Sequence, residues 1–164
     1  LVRNARTGLF FCFARWFGRA AMPQPLLLKV PFHSDLGRLA LEVRRQVFML
    51  EQNVPESVER DAHDQTATHI VAIVDGNVVG VLRLLFLPEH VKIGRVAVVR
   101  ERRGLGIAGA MMRFAMAEAR AAGATRFALT AQMDKVAMYE KLGFTAYGER
   151  FEEGGMPHLA MKTY

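Results

Sequence analysis

Cysteine is nearly absent: the 164-residue chain has one, Cys12. A single thiol builds neither a disulfide framework nor a cysteine-rich zinc site, so the fold must rest on a packed core. Long apolar runs are absent too, and nothing in residues 22–164 approaches the roughly 20 residues that cross a bilayer as a helix. Low-complexity tracts and internal repeats are also missing. Charged residues make up 23% and hydrophobic residues 51%, a balance that excludes a disordered chain. Acidic residues are missing from residues 1–21, which hold Arg3, Arg6, Arg15 and Arg19. That local absence explains the formal charge of +6 and pI of about 10.0. Four of the 22 basic residues and none of the 16 acidic ones lie there. The remainder is nearly balanced, so a nucleic-acid partner is not expected.

Residues 8–14 read GLFFCFA, an apolar run of signal-peptide length between arginines. The composition equally suits an organellar presequence, or an amphipathic anchor through Phe10, Phe13, Trp16 and Phe17. The pattern of a domain is complete from Met22. Residues 1–21 are therefore read as an extension outside the domain (upstream translated sequence, a tag or a targeting segment), and residues 22–164 as one domain with no membrane association and a cytoplasmic location.

Within that domain, residues 26–30 read as a strand ended by Pro31. Ser34 is a helix cap before a buried stripe of Leu36, Leu39, Leu41, Val43, Val47, Phe48 and Leu50. Residues 51–68 form an acidic, irregular stretch with room for one helical turn. Strands at 69–74 and 78–86 flank Asp75-Gly76-Asn77, which favours a tight hairpin, and residues 91–99 form a further strand. Helical spacing of Ile107, Met111, Phe114 and Ala117 or Ala121 runs to Gly123. A strand at 126–130, a helix at 134–142 and a hairpin of 144–151 with 158–161 around Gly154-Gly155 complete the order. The order β-α-β-β-β-α-β-α-β-β predicts a single mixed α/β (α+β) domain. Met111, Met112, Met116, Met133 and Met138 read as core filling, and Arg113, Arg120 and Arg126 as solvated.

Gly104-Leu105-Gly106-Ile107-Ala108-Gly109 fits the dinucleotide pattern G-x-G-x-x-G between a strand and a helix. Three consecutive antiparallel strands precede it, however, and the next strand ends Thr130-Ala131-Gln132 without the acid that would hold a ribose. A second reading fits better: Val96-Ala97-Val98, then Arg102 and Arg103-x-x-Gly106-x-Ala108, as a pyrophosphate cradle. Small residues admit an anion to the first free N–H groups of a helix, whose dipole favours it, and arginines add charge-assisted contacts.

In these residues the chain resembles the GNAT superfamily of N-acetyltransferases, whose acetyl-coenzyme A site carries Q/R-x-x-G-x-G/A. Ala137-Met138-Tyr139-Glu140-Lys141-Leu142-Gly143-Phe144 is similar to that family's later helix and strand entry. Arg44-x-x-Val47-Phe48-x-x-Glu51-Gln52-x-Val54-Pro55, with Glu59, Asp61 and Asp64, resembles the signature of an ElaA-like bacterial branch, as does Gly155-Met156-Pro157-His158. The resemblance implies a mostly antiparallel sheet flanked by helices, acetyl-coenzyme A as cosubstrate, a small-molecule amine acceptor and a possible homodimer. It implies cofactor contacts from Val96, Ala97, Val98, Arg102, Arg103, Gly104, Leu105, Gly106, Ile107 and Ala108. Gln132, a further cofactor contact so implied, replaces a position that is often asparagine in the wider superfamily and can still hydrogen-bond the coenzyme or backbone amides.

Transfer from a thioester to an amine needs a polarised carbonyl, a neutral amine and a stabilised leaving thiolate. The resemblance implies a backbone N–H near Val98 for the first, where the fourth strand splays from the fifth, and Tyr139 as the acid. Glu51 is the first candidate for the base and His158 the second. The acids of residues 51–68 read as an amine-recruiting rim or a solvated loop. Asp61, His63, Asp64 and His69 lack the spacing of a closed metal site, so none is expected. A non-catalytic acyl-coenzyme A sensor is the alternative reading.

Overall fold

The structure, a computed structural model, describes residues 24–164. The reading of residues 1–21 as an extension, including Cys12, lies outside the described residues. Strand β1 (Leu26–Val30) leads to helix α1 (Asp35–Arg44), whose cap Ser34 accepts a hydrogen bond from the Gly37 N–H at 3.0 Å. The helix was expected to run on to Leu50 as a regular stripe, but Arg45–Glu51 takes the wider π-helical turn. Short helix α2 (Glu56–Glu59) and a 3₁₀ turn (Ala62–Gln65) occupy the acidic stretch. Strands β2 (Thr68–Val74), β3 (Asn77–Phe86) and β4 (Val91–Val98) follow. Asp75 and Gly76 turn the first hairpin with φ of 51° and 75°, the left-handed pair that a tight hairpin needs. Helix α3 (Ile107–Ala121), strand β5 (Phe127–Gln132), helix α4 (Val136–Glu140) and the hairpin β6 (Thr145–Glu153) and β7 (Met156–Lys162) close the domain.

The seven strands form one sheet in the order β1-β2-β3-β4-β5-β7-β6, antiparallel throughout except between β4 and β5. Both faces are covered. Alternate residues of β2 divide between them: Ile70, Ala72 and Val74 join Met111, Met112, Ala115 and Met116 of α3, while Val71 joins Val43 and Val47 on the α1 side. Burial on both faces is why β2 and β3 read as continuous apolar runs. Met111, Met112 and Met116 are buried as expected, and Met133 and Met138 are half-buried beside a cleft.

Within the acidic stretch Glu56 is exposed, as in a solvated loop, but two other acids depart from both expectations. Glu59 and Asp64 are buried, and so is Arg44 at 0% exposure. The Arg44 guanidinium donates to Glu59 Oε1 and to the Glu59 carbonyl, and it grips Asp64 with two bonds of 2.7 and 3.0 Å. Arg83 of β3 donates to Asp64 and Asp61 at 2.7 Å each. Arg95 of β4 donates to the Val58 and Glu59 carbonyls at 2.7 and 2.9 Å. These acids are thus the anionic half of an internal ion network, each facing an arginine, because an unpaired buried carboxylate would carry a large desolvation penalty. His69 Nε2 lies 2.8 Å from the Asp64 carbonyl, which can only accept, so the ring donates there; burial lowers its pKa.

Burial pushes the Asp64 carboxyl up, but hydrogen bonds and charge from Arg44 and Arg83 overcome it and hold the group at about 2. Its folded pKa lies below its unfolded one, so its contribution to stability is present above the ordinary carboxylate range and is lost as pH falls toward 2. Asp64→Asn is expected to destabilise the domain by about 3–5 kcal/mol at neutral pH, since Arg44 and Arg83 each lose one of their two carboxylate partners in a buried network. Melting curves from neutral pH down to pH about 2 should bring the variant and the wild type together as the carboxyl protonates.

Candidate functional site

The parallel neighbours β4 and β5 pair only at Val91↔Phe127 and Lys92↔Ala128. Beyond Lys92 the strands separate, and β5 continues by pairing with β7 instead. On its other edge β4 stays registered with β3, apart from a bulge at which Arg95 takes φ of 53°. At the far end the Val99 N–H donates to the Val79 carbonyl at 2.9 Å. Alternation along the strand therefore turns the Val98 N–H away from β3 and into the gap, where β5 offers no partner.

The chain leaves β4 through a 3₁₀ turn (Arg100–Arg102) and enters α3 through two left-handed glycines, Gly104 at φ 75° and Gly106 at φ 79°. A side chain there is strained by the backbone, and a Cβ at either position meets no atom within 4 Å, so the main chain stands open to the cleft. The first helical bond runs from the Ala110 N–H to the Gly106 carbonyl at 3.0 Å. The N–H groups of Gly104 through Gly109 have no hydrogen-bond partner among the described residues. Consecutive free donors at the positive end of a 15-residue helix form an anion site, and this is the observation of fit for a pyrophosphate.

A cleft of about 1560 Å³ joins these features. It is lined by Val96, Ala97, Val98, Arg102, Arg103, Gly104, Gly106, Ile107, Ala108, Gln132, Glu51, Tyr139 and His158. Of the sequence-expected site residues only Leu105 stands outside it: held between two left-handed glycines, its side chain is turned outward and is 44% exposed. The two arginines differ. Arg102 reaches back to Asp75 Oδ2 at 2.9 Å, whereas Arg103 donates from Nε to the Val98 carbonyl and from Nη2 to Glu51 Oε2, both at 2.8 Å. Glu51 Oε2 also lies 3.5 Å from Arg100 Nη2. Gln132, at the end of β5, donates from Nε2 to Gln52 Oε1 at 3.1 Å.

Tyr139 of α4 is 7% exposed and packs edge-on against Phe144. Its hydroxyl has no hydrogen-bond partner among the described residues, and burial pushes its pKa up to about 12. His158 of β7 stacks on Phe151, and its Nδ1 lies 2.8 Å from the Met156 carbonyl. A carbonyl only accepts, so Nδ1 carries the proton and neutral His158 keeps the Nε2 lone pair free as a proton acceptor.

Sequence reasoning gave no role to Arg83 and Arg95, which neutralise the acidic stretch. Their signal was present: each interrupts an apolar strand pattern, and a charged residue in a covered strand requires a buried partner. Arg120 and Arg126 are exposed but lie over the rings of Phe127 and Tyr164 at 5.2 and 5.1 Å, which their expected solvation did not include. Among the described residues no metal-holding cluster of His, Cys, Asp or Glu occurs, and no helix is long and apolar enough to cross a membrane.

Comparison with known proteins agrees with this geometry. Residues 32–164 match the model of the acetyltransferase (GNAT) domain. The chain is 35% identical over 123 residues to the uncharacterized N-acetyltransferase YjcF of Bacillus subtilis, covering 74% of this chain and 88% of that one. Its fold is similar to that of an acyl-CoA N-acyltransferase from Pseudomonas aeruginosa, with TM-score 0.76 and 30% identity over 85% of this chain and 99% of that one. Escherichia coli ElaA gives the same TM-score and coverage at 26% identity. The resemblance drawn from the glycine turn and from the two outer signatures therefore holds across nearly the whole domain, and the family supports an acyl-coenzyme A-dependent N-acyltransferase. The chain belongs to the GNAT acetyltransferase family.

Proposed function

We propose that this chain transfers the acetyl group of acetyl-coenzyme A directly to a primary amine, with both substrates held together in the cleft. The observation that carries this reading is the meeting of two sets of unpaired backbone donors: the free N–H groups of Gly104–Gly109 and the Val98 N–H in the β4–β5 gap. The first set, with Arg103, suits the pyrophosphate, and the second is placed to hold negative charge gathering on a carbonyl oxygen. Acetyl-coenzyme A, when bound, supplies the activated thioester. Residues 22–164 hold no cysteine, in keeping with transfer that does not pass through an acyl-enzyme.

His158 is the better-placed base of the two candidates. Its Nε2 is free to take the proton that an ammonium must lose before attack, directly or through one water, while the Glu51 carboxylate is engaged by Arg103 and Arg100. Tyr139 acts differently from a simple proton donor. A phenol at about 12 keeps its proton through the working range, so it serves the leaving sulfur as a hydrogen-bond donor. The proton that the thiolate takes up is balanced by the second proton that nitrogen releases as the amide forms.

Three outcomes are expected of the full chain. Calorimetry with acetyl-coenzyme A should show saturable binding that Gly106→Trp weakens at least about tenfold, because the substitution strains a left-handed position and fills the cradle. A folded wild type that binds no coenzyme overturns the reading. Tyr139→Phe should lower turnover at least about tenfold in a thiol-release assay across a panel of primary amines, with coenzyme affinity unchanged; full retention of turnover refutes its role. His158→Gln should lower turnover at least about tenfold in the same assay with coenzyme affinity unchanged, and phenol ionisation of Tyr139 should cause no fall in wild-type activity below pH about 11.

A further inference from the structure

Glu51 ends the π-helical stretch Arg45–Glu51, seven residues after Arg44. In an uninterrupted α-helix residues seven apart share a face, so Glu51 would be aimed where Arg44 is aimed, at the buried ion network. The wider π turn breaks that phase. It lets Arg44 stay in the network while Glu51 and Gln52 face the cleft, in keeping with the association of such turns with functional sites. From there Glu51 reaches Arg103, at the exit from β4, and Gln52 reaches Gln132, at the end of β5. Adjacent residues thus hold the two arms of the gap whose N–H and cradle the proposed reaction uses.

We infer that Glu51 is a positioning residue: its carboxylate fixes the Arg103 guanidinium for the coenzyme's pyrophosphate, and the Glu51–Gln52 pair clamps the opening between β4 and β5. The inference rests on the cradle reading above. Arg103 is held at two points of its planar fork, Nε on the Val98 carbonyl and Nη2 on Glu51, which leaves the rest of the fork for phosphate oxygens. The Glu51 side chain is 16% exposed and that of Arg103 is 43% exposed, so the carboxylate is shielded while the guanidinium stays open to the cleft. The same contacts argue against Glu51 as the base. An ammonium approaching it meets the positive charges of Arg103 and Arg100, which repel it, and both arginines lie against the same carboxylate oxygen, Oε2. Fixing the guanidinium before the ligand arrives reduces the ordering cost of binding, so the effect falls on coenzyme affinity.

The test is a double-mutant cycle in the full chain, with acetyl-coenzyme A binding read by calorimetry at constant ionic strength. Glu51→Ala and Arg103→Ala are each expected to weaken binding about tenfold, and the double variant to bind within about twofold of Arg103→Ala alone, because the two residues act as one unit. Glu51→Gln, which keeps an acceptor oxygen, is expected to recover part of the affinity and to leave the shape of the pH–rate profile unchanged. It also keeps the test open if Glu51→Ala does not fold. Additive losses overturn the inference. So does a Glu51→Gln variant with wild-type affinity whose activity no longer rises with pH, which makes Glu51 the base. Failure of the wild type to bind acetyl-coenzyme A has a different meaning: it overturns the cradle reading itself, and this inference with it.

Discussion

The buried ion network around Arg44 is the constraint on which the rest of the site depends. Three arginines from α1, β3 and β4 converge on three acids of a single irregular stretch, and none of these elements could bury its charge alone. Pairing fixes the stretch from α2 to the following 3₁₀ turn against the sheet. It also anchors the bulge of β4 at Arg95, within the stretch where the strand has already parted from β5. Such a network adds little net stability compared with an apolar core of the same shape, but its loss is costly in one direction only, which makes it a device for holding one arrangement.

From that anchored wall the site follows by sheet topology. A parallel pair within an otherwise antiparallel sheet can be joined over a short distance and then part, because each strand has another neighbour to satisfy its remaining edge: β3 for β4, and β7 for β5. Parting leaves backbone donors unpaired without burying them in an apolar core, and the cleft collects them. The start of α3 adds further free donors at the same opening. In the proposed reaction, binding and polarisation are thus largely main-chain functions, while side chains would supply proton transfer, hydrogen bonding to sulfur and the fixing of Arg103.

Much of this was legible in local sequence. Ser34 announced the start of α1, Asp75-Gly76 the hairpin, and Gly104 and Gly106 the entry to α3, because each needs a side-chain cap or a left-handed backbone that few residue types provide. The chemical nature of Tyr139 and His158 was equally plain. The π stretch was not: nothing local in Arg45–Glu51 requires it, and it meets two distant demands, Arg44 turned to the network and Glu51 turned to the cleft. The burial of Glu59 and Asp64 was not legible for a related reason, since Arg83 and Arg95 sit on strands remote in sequence, and Gln52 meets Gln132 across 80 positions.

The sequence by itself determined the order of elements, the turns, the caps and the small residues that let an anion reach a helix start, because these depend on φ preferences and spacing within a few residues. Tertiary structure alone decided which carboxylates are spent on arginines and which nitrogen of His158 is free. It also decided that burial raises the Tyr139 pKa and that Glu51 faces Arg103. The physical reason is that charge and proton affinity are set by desolvation and by neighbours within a few ångströms, and those neighbours come from segments that only the fold brings together.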